Sequence, residues 1–197
     1  MLIGITGKIG SGKTTISEML QRKHSFEETS FANPLNEIGE IFGFSKEQLY
    51  GTQEQKLEIQ PYWGVSSREF LQKVGTDLFR EELPKLIPSM KSVWTRLFEL
   101  NYDPISCPRV VVSDVRFVDE AETIKRLGGV IIRTIRDNNV SSQEGTEHLH
   151  KSELETDKIE ADFIIDNNFS KEKAEKRLEE ILLKYMEEQV NGRITSV

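Results

Sequence analysis

The segment Gly7-Lys8-Ile9-Gly10-Ser11-Gly12-Lys13-Thr14 constrains this chain more than any other. It has the form G-x-x-x-x-G-K-[ST] and follows a short apolar run, Leu2-Ile3-Gly4-Ile5-Thr6. Glycines at 7, 10 and 12 let the backbone turn so that several N–H groups point into one concavity, which suits phosphate oxygens. A helix expected from about Lys13 to Lys23 adds the positive end of its dipole. In such a loop Lys13 reaches the outer phosphates of a nucleoside triphosphate, and the Thr14 hydroxyl suits Mg²⁺. Gly10, Ser11, Gly12, Lys13, Thr14 and Thr15 are the expected ATP-binding residues; for Lys8 and Ser11 a plain solvated role stays open.

Three more runs read as buried strands: Arg109 to Asp114, Val130 to Arg136 and Ala161 to Asp166. Between them, Phe117, Ala121, Ile124 and Leu127 fall at helical spacing, and Gly128-Gly129 stops that helix. Ala174, Leu178, Ile181, Leu182, Tyr185 and Met186 form the stripe of a closing helix. Strands alternating with helices predict an α/β fold, a parallel sheet covered on both faces with right-handed crossovers. From Leu35 to Leu100 no core strand is visible, so that stretch reads as a helical insertion between strands of the sheet. Its first helix runs from Leu35 to Phe44 and ends near Gly43. Ser45 to Gly64 is polar and irregular. Ser66-Ser67-Arg68-Glu69 has the form of a capping box, with Phe70, Leu71, Val74 and Leu78 as the buried face. Further helix follows, broken near Pro88. Asp137 to Asp157 reads as a polar flap, and Gln189 to Val197 as a frayed tail.

Composition narrows the partners. Hydrophobic residues make up 37% and charged residues 30%, the balance of a folded domain rather than a disordered one. A net charge of -7 gives no electrostatic footprint for a nucleic acid backbone. No run of 18 apolar residues predicts a membrane span, and the N-terminus lacks the pattern of a signal peptide. The one cysteine, Cys107, excludes an internal disulfide, fits a cytoplasmic location and reads as a packing residue.

Asp114 ends an apolar strand, and in open α/β sheets ligands bind beyond the carboxyl ends of strands. It is expected to hold Mg²⁺ through water or to orient a second substrate; a helix cap or loop acid is the plainer alternative. Arg116 suits either a pair with Asp114 or an anion.

An ordered series of motifs then carries a resemblance: Phe31-Ala32-Asn33-Pro34-Leu35, Leu49-Tyr50-Gly51, Trp63 to Gln72, Val74 to Arg80, Val112 to Phe117, His150-Lys151-Ser152-Glu153 and Ile165 to Asn168. Together with the glycine loop it resembles the phage and viral deoxynucleoside monophosphate kinases, of the P-loop nucleoside monophosphate kinase group, from Leu2 to about Leu183. The resemblance implies a single three-layer kinase domain over 1–197. That domain has a five-stranded parallel sheet, an acceptor-binding insertion at about 34–101 and a lid at about 137–157. The implied reaction is ATP + dNMP → ADP + dNDP with Mg²⁺.

It also implies roles for particular residues. Lys13, Asp114, Arg116 and Arg136 would be catalytic, with Thr14 and Asp114 at the metal. Arg136 is preferred to Arg133 as the lid-hinge arginine because it stands at the strand's carboxyl end. Arg68 would bind the acceptor's phosphate, against the plainer reading of a surface arginine. Gln72 and Asp77 would line the base or sugar pocket or serve helix packing. Arg116 and His150 complete the acceptor set. Asn167 and Asn168 would pass near adenine, unless they only form a turn before Ser170. His148 and His150 lack the further ligands of a usual metal site. Trp63 and Trp94 suit packing more than base stacking.

Two positions depart from the family pattern, Asn33 where Asp is common and Asn36 where a basic residue is common. The expected partners are ATP and a deoxynucleoside monophosphate, with no nucleic acid and no membrane; a homodimer is compatible with the sequence. Two rivals stay open. One is a kinase of the dephospho-coenzyme A or phosphomevalonate type, and the other a nucleotide-binding switch, although no N-K-x-D guanine-reading segment is present.

Overall fold

Leu2–Thr6 forms β1, and all five of its residues are buried, as a strand covered on both faces requires. The computed structural model describes residues 1–136 and 151–194, with residues 151–153 and 190–194 described through their backbone alone. His148 and His150 lie outside the described residues. Beyond the glycine loop, α1 spans Lys13–His24, and a short strand, β2, spans Glu27–Thr29. Next come α2 (Asn33–Ile41), α3 (Lys46–Tyr50), α4 (Gln53–Leu57), β3 (Ile59–Gln60), β4 (Val65–Ser66) and α5 (Ser67–Gln72). A π-helical stretch over Lys73–Glu82 leads into α6 (Leu83–Leu86), a 3₁₀ turn at Pro88–Met90 and α7 (Val93–Asn101). The chain closes with β5 (Val110–Val112), α8 (Val118–Arg126), β6 (Val130–Ile135), α9 (Lys151–Thr156), β7 (Phe163–Asp166) and α10 (Lys171–Ile194).

These elements form two units, Met1–Thr29 with Asp103–Val197, and Ser30–Tyr102. The first holds a five-stranded sheet in the order β2-β5-β1-β6-β7, with every pairing parallel. Alternation along β1 divides its residues between two layers. Ile3 and Ile5 join Val111, Ile132 and Ile165 in a core with Ile16, Met19 and Leu20 of α1 and Leu178, Ile181 and Leu182 of α10. On the opposite face Gly4 admits α8 closely: a Cβ there would stand 2.6 Å from Ile124 Cδ1. A parallel sheet between helical layers, with the glycine loop after its central strand, is the three-layer P-loop kinase fold.

The second unit has its own core, in which Leu35, Val93 and Trp94 pack with Ile38, Leu71, Val74, Phe79 and Leu97. Trp94 is a packing residue: its indole N–H donates to Gly75 O at 3.0 Å, and its ring lies 5.0 Å from Phe79. Trp63 stands at the surface, 5.7 Å from the Phe42 ring, and donates to Phe42 O at 2.7 Å.

Several elements differ from their sequence expectation. The strand read as Arg109 to Asp114 is confined to Val110–Val112, because Ser113 and Asp114 turn away. β2 escapes the apolar pattern because Glu27, Glu28 and Thr29 sit on the outermost strand. Charged residues on such an edge discourage pairing with another chain. The stretch read as irregular, Ser45 to Gly64, contains two short helices, each with a complete capping box: Ser45 with Gln48, and Thr52 with Gln55. In α5, Ser66 Oγ accepts from Glu69 N at 3.2 Å, whereas the Glu69 carboxylate pairs with Lys73 at 2.8 Å. Leu78, expected in the core, is exposed. The π-helical stretch shifts the register, so a spacing of seven or eight residues from Phe70 and Leu71 no longer returns to one face. Within the expected flap, Lys151–Thr156 is helical.

Candidate active site

The parallel strands of the first unit all end at one edge of the sheet, and the sequence-predicted residues of that unit gather there. β1 runs into Gly7, β5 into Ser113 and Asp114, β6 into Arg136, and β7 into Asn167 and Asn168. β5 and β6 flank β1, so Asp114 and Arg136 leave the strands on either side of the glycine loop. Asp114 is half-buried, and Arg116 and Arg136 are exposed.

The loop itself is tightly specified. Gly7, Gly10 and Gly12 have φ of 145°, 78° and 96°, in the region that favours glycine. Gly12 precedes the first residue of α1, so the unpaired N–H groups of that helix open beside the loop. Lys13 Nζ donates to Gly7 O at 2.6 Å and to Lys8 O at 2.9 Å, which folds its ammonium back across the loop. Thr14, in the first turn of α1, is exposed, and Thr15 is half-buried. Ser11 is buried, and its hydroxyl shares a 2.7 Å hydrogen bond with Thr134 Oγ1 of β6. Lys8 pairs with Asp157 at 3.3 Å between two exposed side chains, a contact of small energetic weight.

A buried carboxylate organises the segment after β5. Glu120, at the third position of α8, accepts from Arg116 N at 2.8 Å and from Phe117 N at 3.1 Å. These are charge-assisted bonds to donors at a helix N-terminus, which favours a negative group. They fix the backbone that carries Arg116. Thr156 Oγ1 donates to Arg116 O at 3.4 Å, tying the end of α9 to the same peptide. Sequence reasoning passed over Glu120, although an acid at the third position of a helix is a recognisable capping signal.

The two arginines of the third strand separate in role. Arg133 is part of β6, and its guanidinium donates to Thr156 O at 3.1 Å and to Ile159 O. It closes the C-terminal end of α9 and is engaged inside the fold. Arg136 lies just past the end of β6 and is exposed.

After β7, Asn167 and Asn168 behave differently. Asn168 N donates to Asp166 Oδ1 at 2.8 Å, a local side-chain turn. Asn167 reaches back to the loop, its Nδ2 donating to Ser11 O at 2.8 Å.

The remaining acceptor residues belong to the second unit. Arg68 and Gln72 are four apart on α5 and share a side of it. Arg68 donates to Gln53 Oε1 at 3.2 Å, while Glu69 is engaged by Lys73. Asp77 is exposed on the π-helical stretch, whose i→i+5 repeat brings it nearer the side of Gln72 than an α-helix would. Asn36 is buried.

Cys107 is half-buried, and burial followed by its hydrogen bond to Glu27 pushes its thiol pKa upward, the opposite of an activated nucleophile. Among the described residues no group of three or more His, Cys, Asp or Glu side chains is arranged to hold a metal ion. No helix among them is long and apolar enough to cross a membrane.

Comparison with known proteins follows the same line. The sequence profile described as deoxynucleotide monophosphate kinase matches residues 38–178. A protein of Acanthamoeba polyphaga mimivirus, provisionally named a deoxynucleotide monophosphate kinase, is 42% identical over 178 residues, covering 85% of this chain and 89% of its own length. The deoxynucleotide monophosphate kinase of Escherichia phage RB69 is 29% identical over 140 residues; the match covers 64% of this chain and 53% of the phage protein. Among solved structures, the dephospho-CoA kinase of Campylobacter jejuni overlays with a TM-score of 0.45 at 16% identity, covering 93% of this chain and 96% of that one. The profile match spans most of the chain and the viral relative is similar along nearly its whole length, so this chain belongs to the deoxynucleotide monophosphate kinase family.

Proposed function

We infer that this chain transfers the terminal phosphoryl group of ATP to a deoxynucleoside monophosphate, giving ADP and a deoxynucleoside diphosphate. The glycine loop carries the reading: three positive-φ glycines, a helix N-terminus and Lys13 make one phosphate cradle after the central strand. Phosphoryl transfer of this kind is mostly positioning and charge stabilisation. The attacking oxygen belongs to a phosphate that is already ionised at neutral pH, so no strong general base is required.

Placement supports the proposed roles. Lys13 lies across the loop and neutralises the outer phosphates of the donor. Thr14 and Asp114 supply one hydroxyl and one carboxylate to Mg²⁺. That donor set suits this ion, which keeps several waters and takes substrate phosphate oxygens. Thr14 and Asp114 would hold the ion, which when bound would supply charge neutralisation at the donor phosphates. Arg116, on a backbone fixed by Glu120, serves the transferred group. Arg136 serves as the lid-hinge cation in preference to Arg133, whose guanidinium is already bonded to two carbonyls. Arg68 binds the acceptor's phosphate, Gln72 and Asp77 its sugar or base. His150, outside the described residues, keeps its proposed place in the lid of about 137–157, and 1–197 its proposed standing as one kinase domain. A homodimer acting in the cytoplasm, without nucleic acid or membrane partners, belongs to the same reading. Exposed Ile41, Phe42, Tyr62 and Trp63 supply apolar surface for such a pairing.

The test is ADP release with ATP, Mg²⁺ and dNMP. Release that needs all three, and is abolished by EDTA, supports transfer. Equal release without any dNMP would make the chain a hydrolase or a switch instead.

A further inference from the structure

We propose that Asn167 is a positioning residue for the phosphate loop rather than a reader of the adenine base. The proposal rests on the reading of Gly7 to Thr14 as a triphosphate cradle.

Asn167 is itself anchored. Its backbone N–H donates to Ile135 O at 2.8 Å, so the chain leaving β7 stays bonded to the end of β6. From that anchor Nδ2 donates to Ser11 O at 2.8 Å. The Ser11 carbonyl and the Gly12 N–H belong to one trans planar peptide, and the two groups point in opposite directions. Holding the carbonyl toward Asn167 therefore aims the Gly12 N–H away from it. That N–H leads into α1, in the run of donors that a phosphate uses.

Two further observations show that the arrangement is built. Gly12 has φ of 96°, which favours glycine, and a Cβ there would stand 2.2 Å from Asn167 Nδ2, so a larger residue would push this amide from its place. The other end of Ser11 is held from the neighbouring strand. Its buried hydroxyl bonds to Thr134 Oγ1 at 2.7 Å, and a Cβ on Gly7 would stand 2.6 Å from that same Thr134 oxygen. Ser11 is thus clamped by its carbonyl from β7 and by its hydroxyl from β6.

A brace on the loop and a contact to the base predict different losses. The decisive experiment measures binding by calorimetry, with Mg²⁺ and no acceptor, for ATP, GTP and inorganic tripolyphosphate, which has no base. Asn167→Ala is expected to weaken all three by a similar factor, about tenfold for one hydrogen bond. In turnover, KM for ATP should rise and KM for the dNMP should stay constant. A loss confined to ATP, with tripolyphosphate binding unchanged, would overturn the proposal and restore Asn167 as a base reader. No loss for any of the three would overturn it as well.

Thr134 supplies an independent arm if Asn167→Ala does not fold. Thr134→Val, which removes the hydroxyl, should weaken all three, and Thr134→Ser should retain the binding of the unaltered protein. Equal behaviour of those two variants would refute the clamp. Failure of the unaltered protein to bind any of the three compounds would refute the triphosphate reading itself, a separate result from any mutant outcome.

Discussion

Single side chains decide most of the chemistry here, and they differ in how far sequence exposes their role. The role proposed for Lys13 is read from its motif, because the spacing of glycines and lysine carries the mechanism. Replacing Lys13 with Ala removes the ammonium that bonds to the loop carbonyls of Gly7 and Lys8. Phosphoryl transfer should fall on the order of 10²-fold or more, the scale set by losing one preorganised donor to developing charge. Initial rates with ATP and a dNMP measure it, and near-normal rates would remove Lys13 from the cradle. Glu120 is the opposite case. Its capping position is readable, but the two backbone donors it joins, and their link to Arg116, are tertiary facts. Glu120→Ala removes the two backbone bonds that this carboxylate accepts, at a cost of about 1–3 kcal/mol in stability. Urea unfolding checks the cost, and an unchanged midpoint would contradict the cap. Arg133 and Arg136 look alike in sequence. Only the carbonyls of Thr156 and Ile159, more than twenty residues away, assign Arg133 to structure.

At the scale of elements, strands and helices with a strong apolar period were readable, and those without one were not. β1 and β6 follow from runs buried along nearly their whole length, β7 from a run in which Phe163 and Ile165 are buried while Ile164 is exposed, and α8 and α10 from their stripes. β2 has no such run, since two of its three residues are glutamates at the sheet edge. The short α3 and α4 depend on capping rather than on apolar spacing. The π-helical stretch carries the apolar spacing of an ordinary helix, so its i→i+5 repeat is not legible in the sequence, and it displaces Leu78 to the surface.

α10 is fastened by Tyr185, whose hydroxyl donates to Gly128 O at 2.7 Å and accepts from Leu2 N at 3.4 Å. Burial raises the pKa of Tyr185 above its ordinary value. The sign is that of a group with a raised folded pKa: its contribution is complete below the unfolded tyrosine value and is lost as pH climbs through the folded one. Stability should therefore drop in the alkaline range above about pH 10, and Tyr185→Phe should flatten that drop. The same variant should cost about 1 kcal/mol at neutral pH for the lost hydrogen bond. Denaturation at neutral and alkaline pH tests both statements, and an identical alkaline slope for the two proteins would refute the assignment.

In the proposed reading the work is divided between a sheet unit that carries the donor cradle and a helical unit that carries Arg68, Gln72 and Asp77. A long helical stretch that interrupts the strands is what the sequence offers for the second unit. Its limits, Ser30–Tyr102, fall a few residues outside the expected 34–101 at the start and one at the end. The cradle's motif does not name the acceptor, since the same loop serves many phosphoryl transfers. Family membership supplies that name, and the identity of the base depends on side-chain placement that periodicity does not encode. The most direct measurement follows the label from γ-labelled ATP in the presence of Mg²⁺ and, one at a time, the four deoxynucleoside monophosphates, their unphosphorylated nucleosides and dephospho-coenzyme A. Label should appear in one or more deoxynucleoside diphosphates and in none of the unphosphorylated nucleosides. Label in dephospho-coenzyme A's product alone, or only in free phosphate, would contradict the account.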